Sequence, residues 1–568
     1  MSESLFITHP SWREHNGCFH DIWLAWWGKS GNESELGVGN VVSLGSIPLK
    51  FIEPTVGRLT IREYHSQLFA RLRRLDTYLP GGVVLSGQPG SGKTYTLLIL
   101  LLKTLVARQP VLFLPTNNIA YYFSSMGVQS NTLSHPDCLH EFARADRSQP
   151  CTWALVNSDT DDLPPPAALV SARGVFIIQA TAPRSSRYKT WVKQNRGQVW
   201  YMQRWSRAEI LQALVLVPEL CEMPLDRLRT MVDKAIAKWG WAPRDITVAL
   251  TEEKELEAAL IEALDDLDTP ARLLELFRNS ATSDSGGDLA HSITSLYQSP
   301  SSRERVIDFK SPYIRYRVQE RVGVVHRDEA LQFIAFSRRQ GDSGSGLLGG
   351  WAFENLVFDN LCSATNPGDL FPPRLASASG TSWSAQIDPF PPASVSASGS
   401  TSPTSPSPCL TCITFTKTLD NVTLDDTKLY VPPQPDFPLL NAFFLQLDRP
   451  NRHVTVIVLQ VTVSLKHNGS VGGYAFLRRL KTHLEAQRTG DLEWEGHGSA
   501  GARRTRVWDV AFEYRLVVPA PAQSQTFTWN FPGKIPDTIS GPVYIQAAQS
   551  QDSVLSTEED ESDFVEGV

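Results

Sequence analysis

Cysteine is scarce in this 568-residue chain. The seven, at positions 18, 138, 151, 221, 362, 409 and 412, are too few and too scattered for a disulfide framework, so a reducing compartment is expected. Long apolar runs are missing as well. The longest, Leu97–Leu102 with its flanks, stops at Lys103 and falls short of the ~20 residues that span a bilayer. The opening MSESLFITHPSWREHNG has neither the basic start nor the apolar core of a signal peptide. An excess of positive charge is also absent. There are 53 basic against 60 acidic residues, and 53 of each sign remain without the acidic C-terminal stretch Asp552, Glu558, Glu559, Asp560, Glu561, Asp563 and Glu566. No global basic field advertises nucleic acid, although a local basic groove stays open. The expectation is a soluble protein of cytoplasm or nucleus with no membrane partner, export by an unconventional route being the alternative.

What is present is ordinary for folded chains. At 42% hydrophobic and 10% aromatic, with 37 Gly and 38 Pro, the chain can bury large cores and is neither fibrous nor wholly disordered. Its length suits three to four domains. Residues 1–75 carry Phe19, Ile22, Trp23, Trp26 and Trp27 at helical spacing. Over 76–205, the runs VVLSG (83–87), PVLFLP (110–115), TWALVN (152–157) and GVFIIQA (174–180) predict a parallel sheet buried on both faces, with a helix over Thr94–Ala107. Residues 206–282 read as a helical lid. SDSGGD (283–288) begins a helical connector over 283–350, which GDSGSGLLGG (341–350) interrupts. Residues 351–535 form an α+β domain, with strands Thr427–Val431, His453–Val463 and Trp508–Val518 and a helix over 474–487. Its Ser/Ala/Pro-rich stretch 376–408 is expected to be a disordered insertion, and 536–568 an acidic disordered tail. No internal repeat is visible.

The most specific motif is Gly87-Gln88-Pro89-Gly90-Ser91-Gly92-Lys93-Thr94, a full match to G-x-x-x-x-G-K-[ST] between a strand and a helix. Glycines let backbone N–H groups turn onto phosphates, and the helix N-terminus adds its dipole. Lys93 would reach the β- and γ-phosphates of ATP, and the Thr94 hydroxyl would ligate Mg²⁺. A carboxylate at a neighbouring strand end is also needed, but the strand Thr152–Val156 ends on Asn157, which lacks the charge. Asp159 supplies the acid if the strand runs on to it; otherwise Asp159, Asp161 and Asp162 are a solvated loop. Thr181, with Gln179 as runner-up, is placed to sense the γ-phosphate, and Arg244 in WGWAPRDI to report on it from the lid. Arg184, Arg187 and Lys189 could be directed at phosphate or be surface charge, and surface charge is the expectation. Cys409-Leu-Thr-Cys412 looks like half a zinc site, but no second pair follows and His453 and His467 are unpaired candidates, so two small residues after a disordered segment are the expectation.

In order along the chain, REYHSQLFARL, GQPGSGKTYTLLILLL, WALVNSD, FIIQATAPRSSRYKTWVKQ, YMQRWSRAEI, WGWAPRDI, GGWAFENLVF, LYVPPQPDFPLLNAFF and VIVLQVTVSLKH resemble the Crinkler and retrotransposon-hot-spot type proteins, abundant in mushroom-forming fungi. The resemblance implies an AAA/STAND-like P-loop NTPase core followed by a restriction-endonuclease-like α+β domain. A nucleotide-gated switch would then drive a DNA-directed effector. Such a nuclease needs two or three carboxylates on Mg²⁺ plus a lysine. This chain offers Glu354 on the helix 351–360, Asn441 where the pattern has Asp, and Gln460-Val461-Thr462 where it has Glu/Gln-x-Lys. Lys466 and His467 follow, and Asp436 or Asp448 could compensate only if the fold brings them in. The basic runs 478–481 and 503–506 could touch DNA phosphates or face solvent. Three functions remain open: a nucleotide-dependent switch or ATPase, in which Lys93 and Asp159 do the catalytic work beside a degenerate nuclease-like domain; an active NTP-gated Mg²⁺-dependent endonuclease using Glu354 and Gln460; and a non-catalytic interaction protein with nucleotide as a structural ligand. Assembly into a homo-oligomer is compatible with each.

Overall fold

Period-two alternation organises the first sheet. In the computed structural model, Val83 and Leu85 of strand β1 (Gly82–Ser86) point into one core and Val84 into the other. Helix α1 (Lys93–Val106) covers the first face. It leads to β2 (Val111–Thr116), then to the hairpin β3 (Ile119–Ser124) and β4 (Gly127–Thr132). Strands β5 (Thr152–Asn157), β6 (Val175–Thr181) and β7 (Gln198–Tyr201) complete the set. Trp153, Leu155, Phe176 and Ile178 face α1; Ala154, Val156, Val175 and Ile177 face away. Burial on both sides is what a parallel sheet with two covered faces requires. At about 1.5–3 kcal/mol for each fully buried large apolar side chain, this alternation is a main source of the fold's stability.

The eight-stranded sheet runs Arg13–Glu14, β4, β3, β2, β5, β6, β1, β7. The five strands from β2 to β7 are parallel, and β3, β4 and the edge strand are antiparallel. After β1 the chain crosses to β2, on the far side of β6 and β5, and it returns to β1's other flank as β7. That reversal opens a crevice at the carboxyl end of β1, where open α/β sheets hold ligands. The N-terminal aromatics close one face, since Phe19, Ile22 and Trp26 join the α1 core.

The structure describes residues 10–44, 57–76, 81–133, 139, 151–159, 163–282, 290–298, 305–338, 346–362, 372–388, 410–432, 439–468, 472–487 and 507–548, apart from 117, 173, 417 and 522. They fall into two units, Met1–Arg321 and Val322–Val568. In the first, helices α2 (Arg207–Leu214), α3 (Leu225–Trp239) and α4 (Pro243–Thr251) follow the sheet. Ser206 and Glu209 cap α2 reciprocally, and Pro243 at the first turn starts α4. Next comes a hairpin of β8 (Thr294–Gln298) and β9 (Arg305–Phe309). A purely helical connector over 283–350 is therefore corrected: Val306-Ile307-Asp308-Phe309 is a short buried run, too brief to form an amphipathic helix.

The second unit is also mixed α/β. Helix α5 (Leu347–Cys362) precedes β10 (Thr411–Thr414), β11 (Lys428–Val431), β12 (Ala442–Asp448) and β13 (His453–Val461). Then come α6 (Gly472–Ala486), β14 (Asp509–Pro519) and β15 (Val543–Ala548). The order Arg374–Leu375, β15, β14, β13, β12, β11, β10 keeps β15, β14 and β13 parallel and turns β12 against β13. Tyr474, Phe476, Leu477, Leu480 and Leu484 of α6 seal one face over Phe443, Val456 and Tyr514.

Two boundaries differ from expectation. The tail assigned to 536–568 begins as structure, because Val543-Tyr-Ile-Gln-Ala-Ala548 pairs with β14 and buries Val543 and Ile545 completely. The acidic stretch itself lies outside the described residues. Likewise Ser377–Ser379 and Ser382–Ile387, inside the insertion assigned to 376–408, pair as a hairpin whose second strand lies against Gln525–Asn530. Trp383 and Ile387 supply the apolar contacts that a composition average hides. Residues 283–288, 389–408 and 503–506 lie outside the described set, as do Asp161, Asp162, Asp436 and Cys409.

Candidate phosphate-binding site and a buried amide pair

Gly87–Thr94 joins β1 to α1. Gly90 and Gly92 hold φ of 76° and 92°, a region costly for residues with a Cβ. Space reinforces the choice. A Cβ on Gly90 would stand 2.6 Å from Cβ of Arg244, and one on Gly92 3.0 Å from the Trp205 ring. Trp205 donates its Nε1–H to the Ser91 carbonyl at 2.8 Å. The Arg62 guanidinium lies 4.2 Å above the Trp205 ring and 3.2 Å from Glu209. On the other side, the Gln88 side-chain oxygen accepts from the Leu296 amide of β8 at 3.3 Å. The loop is thus clamped by α2's leader and by the hairpin.

Lys93 opens α1 with its side chain buried. Its Nζ donates to the Gly87 and Gln88 carbonyls at 2.8 and 3.1 Å and pairs with Asp159 Oδ2 at 3.1 Å. Burial pushes the lysine below its ordinary pKa; Asp159 opposes that, while Arg244 and Arg187 add to it. Asp159 Oδ1 accepts from the Ala182 amide at 2.5 Å and from Arg187 at 3.2 Å. Arg187 also donates to Thr181 Oγ1 at 3.3 Å and to the Ser158 carbonyl at 3.4 Å. The carboxyl ends of β5 and β6 therefore meet beside the loop.

Asn157, at the tip of β5, faces the motif: Thr94 Oγ1 donates to its Oδ1 at 3.3 Å. Its amide donates to the Pro115 carbonyl at 3.3 Å. The strand ends there, so Asp159 joins the site from the following turn. Thr181 is fully buried and meets Arg187. Gln179 donates to Ser158 Oγ and the Arg187 carbonyl and accepts from Trp191, a structural role that leaves little for ligand sensing. Arg244, in the first turn of α4, lines the cavity, and Lys310 pins that turn through Asp245 at 2.7 Å.

The expectation that Arg187 is surface charge is corrected, because its side chain is 6% exposed. A guanidinium so deep needs a carboxylate partner, and Asp159 supplies one. Arg184 is half-buried on the cavity wall, and Lys189 is exposed. Sequence reasoning named Arg187 but placed it at the surface, and it missed Trp205 and Arg62. The capping box Ser206-Arg-Ala-Glu209 was a legible signal for Trp205 alone, because it fixes the start of the helix that Trp205 precedes.

A cavity of ≈ 610 Å³ opens over the loop, within the range of ligand pockets. Arg58, Lys93, Arg184, Arg187 and Arg244 line it, and Asp159 is the one carboxylate among its described lining residues. Ala213, Leu214, Leu216, Val217 and Val248 form an apolar wall. The arrangement suits a polyanion attached to a flat apolar group.

The second site is smaller. Asn441 precedes β12 and Gln460 lies near the end of β13. Gln460 Nε2 donates to Asn441 Oδ1 at 2.5 Å, and the Val461 amide donates to the same oxygen at 2.8 Å. Both side chains are buried. Two ionised carboxylates could not share this geometry without a cation, whereas two amides can. Asp448 stands at the opposite end of β12, exposed and bonded to Asn451, so the fold does not bring it in to compensate. Glu354 is half-buried on α5. Thr462 is buried, and its hydroxyl accepts from the Ser464 amide. Lys466 and His467 belong to a separate four-stranded sheet. Of the basic run 478–481, Arg478 and Arg479 are exposed, while Lys481 bonds the Val510 carbonyl. Among the described residues no cluster of three His, Cys, Asp or Glu side chains is placed to hold a metal, and no helix is long and apolar enough to cross a membrane.

No family model matches the chain, and no curated protein matches it. Among solved structures it is similar to the closed-state cryo-EM reconstruction of Hsp104 with ATPγS and FITC-casein, at 12% identity and a TM-score of 0.23. The match covers 60% of this chain and 53% of that one, so the chain spans about half the length of its neighbour. So low a score carries no argument about fold or function.

Proposed function

We propose that the first unit is a P-loop nucleotide switch of the AAA/STAND-like kind, which binds a nucleoside triphosphate, ATP in the first instance, over Gly87–Thr94. The observation that carries this reading is the convergence, among the described residues, of five cations and one carboxylate on one cavity above a helix N-terminus, an electrostatic excess that a triphosphate neutralises. Thr94 and Asp159 are the residues that would hold Mg²⁺, which supplies charge neutralisation to bound phosphates. Thr181 would follow the phosphates through Arg187, and Arg244 would couple them to α4. Because Asn157 stands where the strand ends and Asp159 is engaged by two cations, binding is expected to outrun turnover. Equilibrium ATP binding and steady-state phosphate release, with Lys93→Ala beside the parent chain, test this. Retained binding in the variant would sink the assignment.

For the second unit we propose a restriction-endonuclease-like domain that contacts DNA without cutting it. The Asn441–Gln460 amide pair supports this reading, because it fills a would-be metal position with neutral groups. Together the two units would make a Crinkler-type, DNA-directed effector acting in cytoplasm or nucleus. Mg²⁺-dependent cleavage of plasmid DNA by the purified chain would overturn the non-cleaving assignment in favour of an NTP-gated endonuclease.

A further inference from the structure

Both oxygens of Asp159 are occupied. Lys93 Nζ holds Oδ2 at 3.1 Å, and Arg187 and the Ala182 amide hold Oδ1 at 3.2 and 2.5 Å. An ammonium, a guanidinium and a backbone N–H on one anion are also the donor set that a terminal phosphate recruits. The two cationic side chains are buried, at 3% and 6% exposure, while that of Asp159 is 30% exposed. The acid therefore has room to turn outward and the cations do not. A phosphate reaching Lys93 meets a carboxylate already there, and two anions sharing the same donors repel each other.

We propose that Asp159 is an internal competitor for phosphate: Lys93 and Arg187 pass from its carboxylate to the terminal phosphate of the nucleotide, and the released Asp159 turns to the metal beside Thr94. This rests on the nucleotide reading above and deepens it by naming the regulation of that site. Arg187 then becomes a phosphate ligand held in reserve. Metal-free nucleotide competes poorly, because it gives the displaced carboxylate nothing to bind. The magnesium complex competes well, so the protein responds to the complex rather than to the bare anion.

Asp159→Asn keeps the hydrogen-bond acceptor and removes the charge, while Asp159→Glu keeps the charge. Titration of ATP, and separately of pyrophosphate, into the full chain is the test, first in EDTA and then in excess Mg²⁺, with melting curves to show that each variant is folded. The expected result is that Asp159→Asn binds both probes at least about tenfold tighter than the parent in EDTA, and that the advantage shrinks or reverses in Mg²⁺. Asp159→Glu, which keeps the competing charge, should show no such gain in EDTA, and adding Arg187→Gln to Asp159→Asn should abolish the gain. Metal-free binding by Asp159→Asn that equals or falls below a measurable parent value would overturn the competitor role and leave Asp159 as a metal ligand, with the nucleotide reading intact. No binding by parent or variant in either condition would overturn the nucleotide reading and this inference with it.

Discussion

The charged cluster around Lys93 and the amide pair are both built at strand ends from residues far apart in sequence, yet they handle charge in opposite ways. Around Lys93, a buried ammonium, a buried guanidinium and a carboxylate are packed together, and further arginines line the same cavity. Around Asn441, the partners of its side-chain oxygen among the described residues are neutral, the Gln460 amide and the Val461 N–H. Concentrating charge in a poorly solvated cavity is costly unless a ligand or counter-ion completes it, so such a place is a candidate for binding. A satisfied amide pair needs no ligand. The difference separates a cluster of charge, a candidate for binding, from a pair of amides that satisfy each other within the framework.

The largest effect should come from making the second site resemble the first. Asn441→Asp with Gln460→Glu sets two carboxylates against each other where two amides now pair. We expect a loss of about 3–5 kcal/mol of stability in EDTA, partly recovered in Mg²⁺ or Mn²⁺, as read from melting curves with and without metal. Melting that ignores metal would show that the position never had the geometry of a metal site. Emptying the first site is the next largest change. Lys93→Ala removes charge-assisted bonds worth about 1.5–3 kcal/mol each, so ATP affinity should fall about 100-fold by calorimetry. A smaller change targets backbone shape alone. Gly90→Ala forces a Cβ into the left-handed region against Arg244, at a cost of about 1–2 kcal/mol, and should weaken ATP binding roughly tenfold with little effect on the fold. The smallest is Glu354→Ala. If the amide pair has replaced the metal anchor, plasmid DNA should remain uncut by parent and variant alike on a gel. A nicking activity lost with Glu354 would break the contrast between the sites.

Much of the first sheet was legible because its evidence is local. VVLSG, TWALVN and GVFIIQA are short apolar runs bounded by turn residues, and each lies within a residue or two of its strand. The hairpin Ile119–Thr132 was not read from the sequence, since its second strand, GVQSNT, mixes polar and apolar residues without a clear strand alternation. Val543–Ala548 was missed because the acidic residues beyond it dominate the composition of the tail. At the site, Lys93 and Thr94 followed from the motif, whereas Arg187 did not. A single arginine in SSRYK carries no local mark of burial.

By itself the sequence determined the phosphate loop and the alternation of the parallel strands. Both depend on residues within one turn or one strand of each other, where backbone geometry leaves few choices. Only the tertiary structure decided that Arg187 is buried on Asp159, that Thr94 meets Asn157, and that Asn441 and Gln460 close on each other across 19 positions. Those pairings depend on strand register and loop path. A shift of one residue would turn Asn157 or Gln460 to the opposite face, and no local pattern encodes the energy that prevents it.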